Sequence, residues 1–341
     1  MLAAQYIGDK KFTLVAGSQV APGPGEVRLN VGYVGICGTD MHIYHGVMDA
    51  RVAPPKVIGH EMSGTVMALG AGVTNVAVGD NVVVRPLDYC GACPACDAGH
   101  SHVCHKLKFM GIDSPGAFQS SWTVKARTLH KLPEGMSLKQ GALIEPLAVA
   151  THDVSRARLK AGEKAVVIGG GPIGQLVALA AKSVGADVMI SEVNDVRRQF
   201  AKDNGMATVN PITEDIDAVV KAWTNDKGAD VVFEVSGVKA AIETMTKIAS
   251  VRGRIVMVAI HSQKPEVDLF QFFWKELELL GARVYEHADF EQAIALVAQG
   301  KVDLDKFISS VTELNNIGTA FASMDNNPAG MKALVSCNGA V

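Results

Sequence analysis

The chain of 341 residues carries 32 Lys and Arg against 35 Asp and Glu, a formal charge of −3, and 48% of it is hydrophobic. It has no basic run to serve as an electrostatic footprint for nucleic acid, and no apolar stretch reaches the ~20 residues that a membrane-spanning helix needs. The length admits two lobes with real cores, and the opening MLAAQYIGDKKF has no secretory pattern, so a cytoplasmic protein is expected.

From about Glu26 to Val84, short β-rich runs (Val27 to Val34, Gly64 to Ala68, Asn81 to Val84) alternate with glycine and proline turns, which reads as an irregular all-β body. Two motifs lie inside it, Gly35-Ile-Cys37-Gly-Thr39-Asp40-Met-His42 and Gly59-His60-Glu61. Each alone is ordinary. Joined with Glu145-Pro146, which follows the apolar run Ala142 to Ile144, they supply the thiolate, imidazole and carboxylate of a catalytic zinc with one position left open.

Between these motifs stand Cys90, Cys93 and Cys96 at two-residue gaps, and Cys104 after a further seven-residue gap. Four thiolates so grouped suit one structural zinc; the alternative is a pair of disulfides, which a reducing cytosol disfavours. His100, His102 and His105 flank Cys104, but four sulfurs already fill a tetrahedron. Cys337 follows the apolar run Ala333 to Val335 and reads as a buried, inert thiol.

From about Ala161 the texture becomes alternating strand and helix: Ala165 to Ile168, Pro172 to Val184, Asp187 to Ile190, Asp195 to Asn204, Asp230 to Val235, Val238 to Ala249 and Arg254 to Ala259. Apolar strands between amphipathic helices imply a doubly wound parallel sheet, an α/β body. Gly169-Gly-Gly171-Pro172-Ile173-Gly174 sits where strand gives way to helix and fits a dinucleotide pyrophosphate. Glu192, about twenty residues on, is placed to accept both ribose hydroxyls and to repel a 2′-phosphate, which favours NAD over NADP. It can also be read as a surface residue before the cap Asn194-Asp195. Arg197 and Arg198 follow, either reaching a phosphate or lining a solvated helix face.

The aromatic run Phe270, Phe272, Phe273, Trp274 admits a subunit contact, a substrate-cleft edge or plain core. Beyond Val284, a helix over Phe290 to Ala298 and the run Ala333 to Ser336 do not continue the strand–helix alternation and are expected to complete the first body.

In these motifs and their order, including Gly79-Asp80, Glu145-Pro-Leu-Ala-Val-Ala150, Glu234-Val-Ser-Gly237 and Lys275-Glu-Leu, the chain resembles the zinc-dependent medium-chain dehydrogenase/reductase superfamily. It is most similar to the polyol and sugar-acid branch, such as sorbitol and idonate dehydrogenases. The resemblance implies a GroES-like catalytic domain over 1–150 with a zinc lobe at about 88–105, a Rossmann domain over 151–284 and a return segment over 285–341. It implies a catalytic zinc on Cys37 and His60 with Glu61 or Glu145 as the carboxylate ligand, both left open, and NAD-linked oxidation of a secondary alcohol to a ketone. Thr39 would take the substrate proton and His42 would pass it on through a cofactor ribose hydroxyl, while Asp40 orients a ligand. A carboxylate at Glu145 in place of cysteine speaks for the polyol branch. A diol or L-threonine dehydrogenase is the alternative among enzymes, and a non-catalytic descendant is the alternative outside them. The partner is a small-molecule alcohol, the assembly a homodimer or homotetramer.

Overall fold

The computed structural model describes residues 1–17, 20–261, 263–327 and 329–338. They form two units: Met1–Glu145 together with the chain from Glu286 onward, and Pro146–Tyr285. No helix among the described residues is long and apolar enough to cross a membrane.

The first unit is built on the strand Glu26–Gly35, which alternates half-buried and buried residues over its first part and is continuously buried from Val31 onward. Such a strand needs cover on both faces and partners on both edges. Across this sheet the strands run Leu129–Lys131, Asn81–Val84, Glu61–Leu69, Glu26–Gly35, Lys332–Ser336 and Ile308–Glu313, and Ser121–Lys125 also pairs with Glu26–Gly35. The return segment therefore enters the sheet itself: Lys332–Ser336, buried throughout, lies antiparallel to Glu26–Gly35 with Leu334 opposite Gly35. Gly35 in turn faces Glu61. A side chain at Gly35 would bring its Cβ to 2.3 Å from the Glu61 carboxylate, so only glycine permits these strands to carry Glu61 inward.

The second unit is a six-stranded parallel sheet. Numbered along the unit, its strands lie across the sheet as third, second, first, fourth, fifth, sixth, the Rossmann order. Val166, Val232 and Ile255 from the sheet pack with Ile242 and Met245 of the helix Lys239–Ile248. The strand expected from Arg254 begins at Ala249, because the polar stretch with Arg252 in the left-handed region (φ 58°) still pairs irregularly with its neighbour.

Two elements differ from their sequence reading for reasons of capping. The helix expected from Phe290 starts at His287, since Asp289 accepts the Glu286 N–H at 2.7 Å and caps a turn that lacks the usual Ser or Thr signal. The aromatic run forms a helix, Leu269–Lys275, capped by Asp268, which accepts the Phe270 N–H. Phe270, Phe273 and Trp274 are more than 60% exposed, which removes the core reading for them, while Phe272 packs on the sheet. Lys275 anchors this helix by donating to the carbonyls of Thr246, Lys247 and Ala249 at 2.7–3.0 Å. That places a cation on the carboxyl end of the neighbouring helix.

Candidate active site and metal centres

Cys37 lies one residue beyond the strand Glu26–Gly35 and caps the helix Gly38–Tyr44. Its N–H is accepted at 2.9 Å by the fully buried carboxylate of Asp40, whose other oxygen lies 3.6 Å from Nδ1 of His60. One carboxylate thus accepts from the Cys37 backbone and faces the His60 ring, and the ring packs edge-on against Phe109. The ligand atoms of Cys37, His60 and Glu61 lie within 4.8 Å of one another. Glu145, 4% exposed, opens the helix Ile144–Arg156.

The structure adds a residue that sequence reading did not single out. Lys332 is buried, and its ammonium reaches Glu61 at 2.5–2.6 Å and the Ile36 carbonyl at 3.4 Å. Burial by itself would lower its pKa, but Glu61, Cys37 and Glu145 outweigh burial and raise it. His60 shows the same balance: burial pulls it down, and Asp40 and Cys37 hold it well above the usual imidazole value. The signal in the sequence was a single charge inside Met331-Lys332-Ala333-Leu334-Val335, a pattern otherwise read as a buried strand.

The fit to a metal follows from charge. Asp40, Glu61, Glu145 and the Cys37 thiol gather around one buried ammonium and one buried imidazole, an arrangement short of positive charge. A thiol, an imidazole and carboxylates are the donor set of a catalytic zinc, and Asp40 stands beside His60 Nδ1 where a carboxylate would orient a ligand imidazole. Thr39 is half-buried and His42 exposed on the helix that Cys37 begins; three residues apart, they share a face.

In the cysteine lobe the Sγ atoms stand 3.5 Å apart for Cys90 and Cys104, 3.6 Å for Cys93 and Cys96, and 3.8 Å for Cys93 and Cys104. A disulfide would close to about 2.05 Å, whereas sulfurs about 2.3 Å from a zinc form a tetrahedron with edges of roughly 3.8 Å. None of the six cysteines is in a disulfide. Backbone N–H groups of Cys96 and His105 bring the Cys93 thiol down to about 6, toward the thiolate a metal needs. His100 and His102 turn to Glu286, at 4.0 and 3.6 Å. Cys337 is half-buried, and burial raises its thiol pKa.

In the second unit the glycine loop joins the strand Lys164–Ile168 to the helix Pro172–Ser183. Gly169 has φ +105°, and a Cβ on Gly174 would fall 1.9 Å from the Gly169 carbonyl, so the helix lies on the turn as a dinucleotide loop requires. Pro172 and Ile173 open the helix, whose first N–H groups are placed to receive an anion. Glu192, at the end of the second strand, is buried; it accepts the N–H of Gly170 at 2.7 Å and that of Asn194 at 2.7 Å. The two arginines part company. Arg198 is consumed by the carbonyls of Glu192 and Val193, while a guanidinium nitrogen of Arg197 lies 3.7 Å from where a Gly171 Cβ would be, beside the loop.

A GroES-like β-body with this donor cluster and a Rossmann unit with this loop define a zinc-type alcohol dehydrogenase. Residues 23–134 match the alcohol dehydrogenase GroES-like domain and residues 172–299 the zinc-binding dehydrogenase domain. The chain is 70% identical, over 99% of both chains, to the 2-dehydro-3-deoxy-L-galactonate 5-dehydrogenase of Pseudoalteromonas atlantica. Among solved structures, the 2R,3R-butanediol dehydrogenase of Bacillus subtilis superposes with a TM-score of 0.91 at 32% identity over 99% of each chain. A zinc-binding dehydrogenase of Sinorhizobium meliloti bound to NADP superposes with a TM-score of 0.89 at 31% identity over 98% of each chain. The protein belongs to the zinc-dependent medium-chain dehydrogenases, in their polyol and sugar-acid branch. It is an oxidoreductase that works with zinc and a nicotinamide cofactor.

Proposed function

We propose that this enzyme oxidises the C5 hydroxyl of a 2-dehydro-3-deoxy sugar acid to a ketone with NAD, as a cytoplasmic homo-oligomer carrying two zinc ions per chain. The observation that carries the substrate is the 70% identity, spanning 99% of both chains, to a dehydrogenase of that specificity. Glu145 supports it independently: a carboxylate in place of a thiolate makes the metal site harder and wetter, suited to a substrate rich in hydroxyls.

Cys37 and His60, with Glu61 or Glu145, hold the catalytic zinc, and Cys90, Cys93, Cys96 and Cys104 hold the structural one. A zinc held on Cys37 and His60 would supply Lewis-acid polarisation of the substrate hydroxyl. A nicotinamide cofactor held on the glycine loop would supply the hydride acceptor. Thr39 takes the hydroxyl proton and His42, on the same helix face and open to water, passes it out. Asp40 keeps the His60 ring in place. Lys332 balances the Glu61 charge, so that Glu61 need not be neutralised by a proton when a ligand or the metal is exchanged.

Gly169, Gly171, Pro172, Ile173 and Gly174 cradle the pyrophosphate, Arg197 beside the loop adds a counter-charge, and Glu192 reads the ribose, which favours NAD. The exposed face of Leu269–Lys275 and the edge strand Glu278–Gly281 are the surfaces proposed to bury one another between subunits.

A comparison of kcat/KM for 2-dehydro-3-deoxy-L-galactonate, sorbitol, 2R,3R-butanediol and ethanol, each with NAD and with NADP, tests the reading. The sugar acid with NAD is expected to lead. The likeness to a butanediol dehydrogenase supports a second reading, a vicinal diol, and a lead for the diol would replace the first.

A further inference from the structure

We propose that His130, His287 and Glu291 form a third metal site, one for a divalent transition ion, in the first unit and apart from both the cysteine lobe and the Cys37 centre. His287 and Glu291 are four residues apart on the helix His287–Ala298, hence on one face, while His130 comes from the strand Leu129–Lys131. Their ligand atoms all lie within 4.8 Å of one another.

The arrangement has features that a plain surface ion pair lacks. His130 is 2% exposed, stacked on Phe290 at 4.9 Å, and its ring centre is 4.4 Å from that of His287. At that separation a proton on both rings is disfavoured, which keeps the imidazoles in the neutral form that can ligate an ion. Nδ1 of His130 stands 2.5 Å from the Glu291 carboxylate, and Nε2 is buried with no hydrogen-bond partner. Nδ1 is the nitrogen that faces Glu291, so an ion shared with that carboxylate would be ligated through Nδ1.

Two imidazoles and one carboxylate are a zinc donor set, and they select against magnesium and calcium, which prefer oxygen. Because His287 and Glu291 are exposed, the fourth position faces water. The Arg85 guanidinium acts on His130 electrostatically and opposes a cation, so the ion is held more weakly than in the cysteine lobe.

The site joins strand to helix across 161 residues of chain, the sequence separation of His130 and Glu291. A bound ion would therefore tie the return segment to the body it completes. It would be a structural clamp, with no contact to the reacting atoms claimed for it.

The test titrates Zn²⁺, against a chromophoric chelator, into the zinc-loaded protein and into His287→Ala and Glu291→Gln, both altered at exposed positions that the fold tolerates. Wild type is expected to take up one more ion per chain than either variant, and saturation is expected to raise the melting temperature of wild type alone. Both variants should keep full turnover, which separates this site from the catalytic centre. Equal zinc uptake by wild type and both variants would overturn the proposal, as would uptake that leaves the wild-type melting temperature where the variants have it.

Discussion

The cysteine lobe and the Cys37 centre are both candidate metal sites in one unit, and they are built on opposite plans. In the lobe, four ligands of one kind come from fifteen consecutive residues, Cys90 to Cys104, and the neighbours that tune them are backbone N–H groups. At the Cys37 centre the donors differ in kind, come from separate elements, and depend on Asp40 and on Lys332, which lies 271 residues from its partner Glu61. A closed set of sulfurs contributes fold stability; a mixed and buried set with balanced charge leaves room for a substrate. Chemistry is therefore expected to fail at one and folding at the other.

The largest effect is expected from Cys37→Ser. It should lower kcat/KM by ~10³-fold or more, about 4 kcal/mol, while thermal unfolding stays near that of wild type, because the pocket retains its packing. Unaltered turnover would end the catalytic assignment. Cys93→Ser should do the reverse, lowering the melting temperature and the zinc content by one ion per chain, with activity lost only as the protein unfolds.

Next in size is Lys332→Met, which leaves the Glu61 carboxylate buried without its ammonium. Unfolding free energy of the metal-free protein should fall by about 3–5 kcal/mol, and by visibly less once zinc supplies a positive charge to the same pocket. Chemical denaturation with and without a chelator reads that difference. Equal losses in both states would mean that Glu61 does not share its charge with the metal site.

Glu192→Ala is expected to shift the kcat/KM ratio of NAD to NADP toward NADP by ~10- to 100-fold, about 1.4–3 kcal/mol. Steady-state kinetics with both cofactors check it, and an unchanged ratio would assign the ribose to another residue. The smallest change in fold stability, about 0.5 kcal/mol or less, is expected from Phe273→Ser, since its side chain is exposed. Its effect should appear instead in sedimentation, as a smaller assembly.

How far the sequence was legible follows the same division between local and distant causes. The glycine loop, Glu192 and the cysteine lobe are contiguous patterns whose meaning lies in their own spacing, and the structure forms a tight strand-to-helix turn and a cluster of sulfurs there. The parallel sheet was legible from its apolar strands. The return of Lys332–Ser336 into the first sheet was legible only as a departure from the Rossmann alternation; its register beside Gly35 was not. Lys332 and the His130 cluster went unread because each is made by residues far apart in the chain, where spacing carries no information. Exposure of Phe273 and Trp274 was likewise out of reach, because a short aromatic helix held by Lys275 has the same composition as a piece of core.

The central claim is that two metal centres divide fold from chemistry, and zinc content measured together with turnover in Cys37→Ser tests it most directly. The expected result is a folded protein with one tightly held zinc fewer per chain than wild type and a kcat/KM lower by ~10³-fold or more. A Cys37→Ser protein that keeps its full zinc complement, or one that loses an ion and still turns over at the wild-type rate, would contradict it.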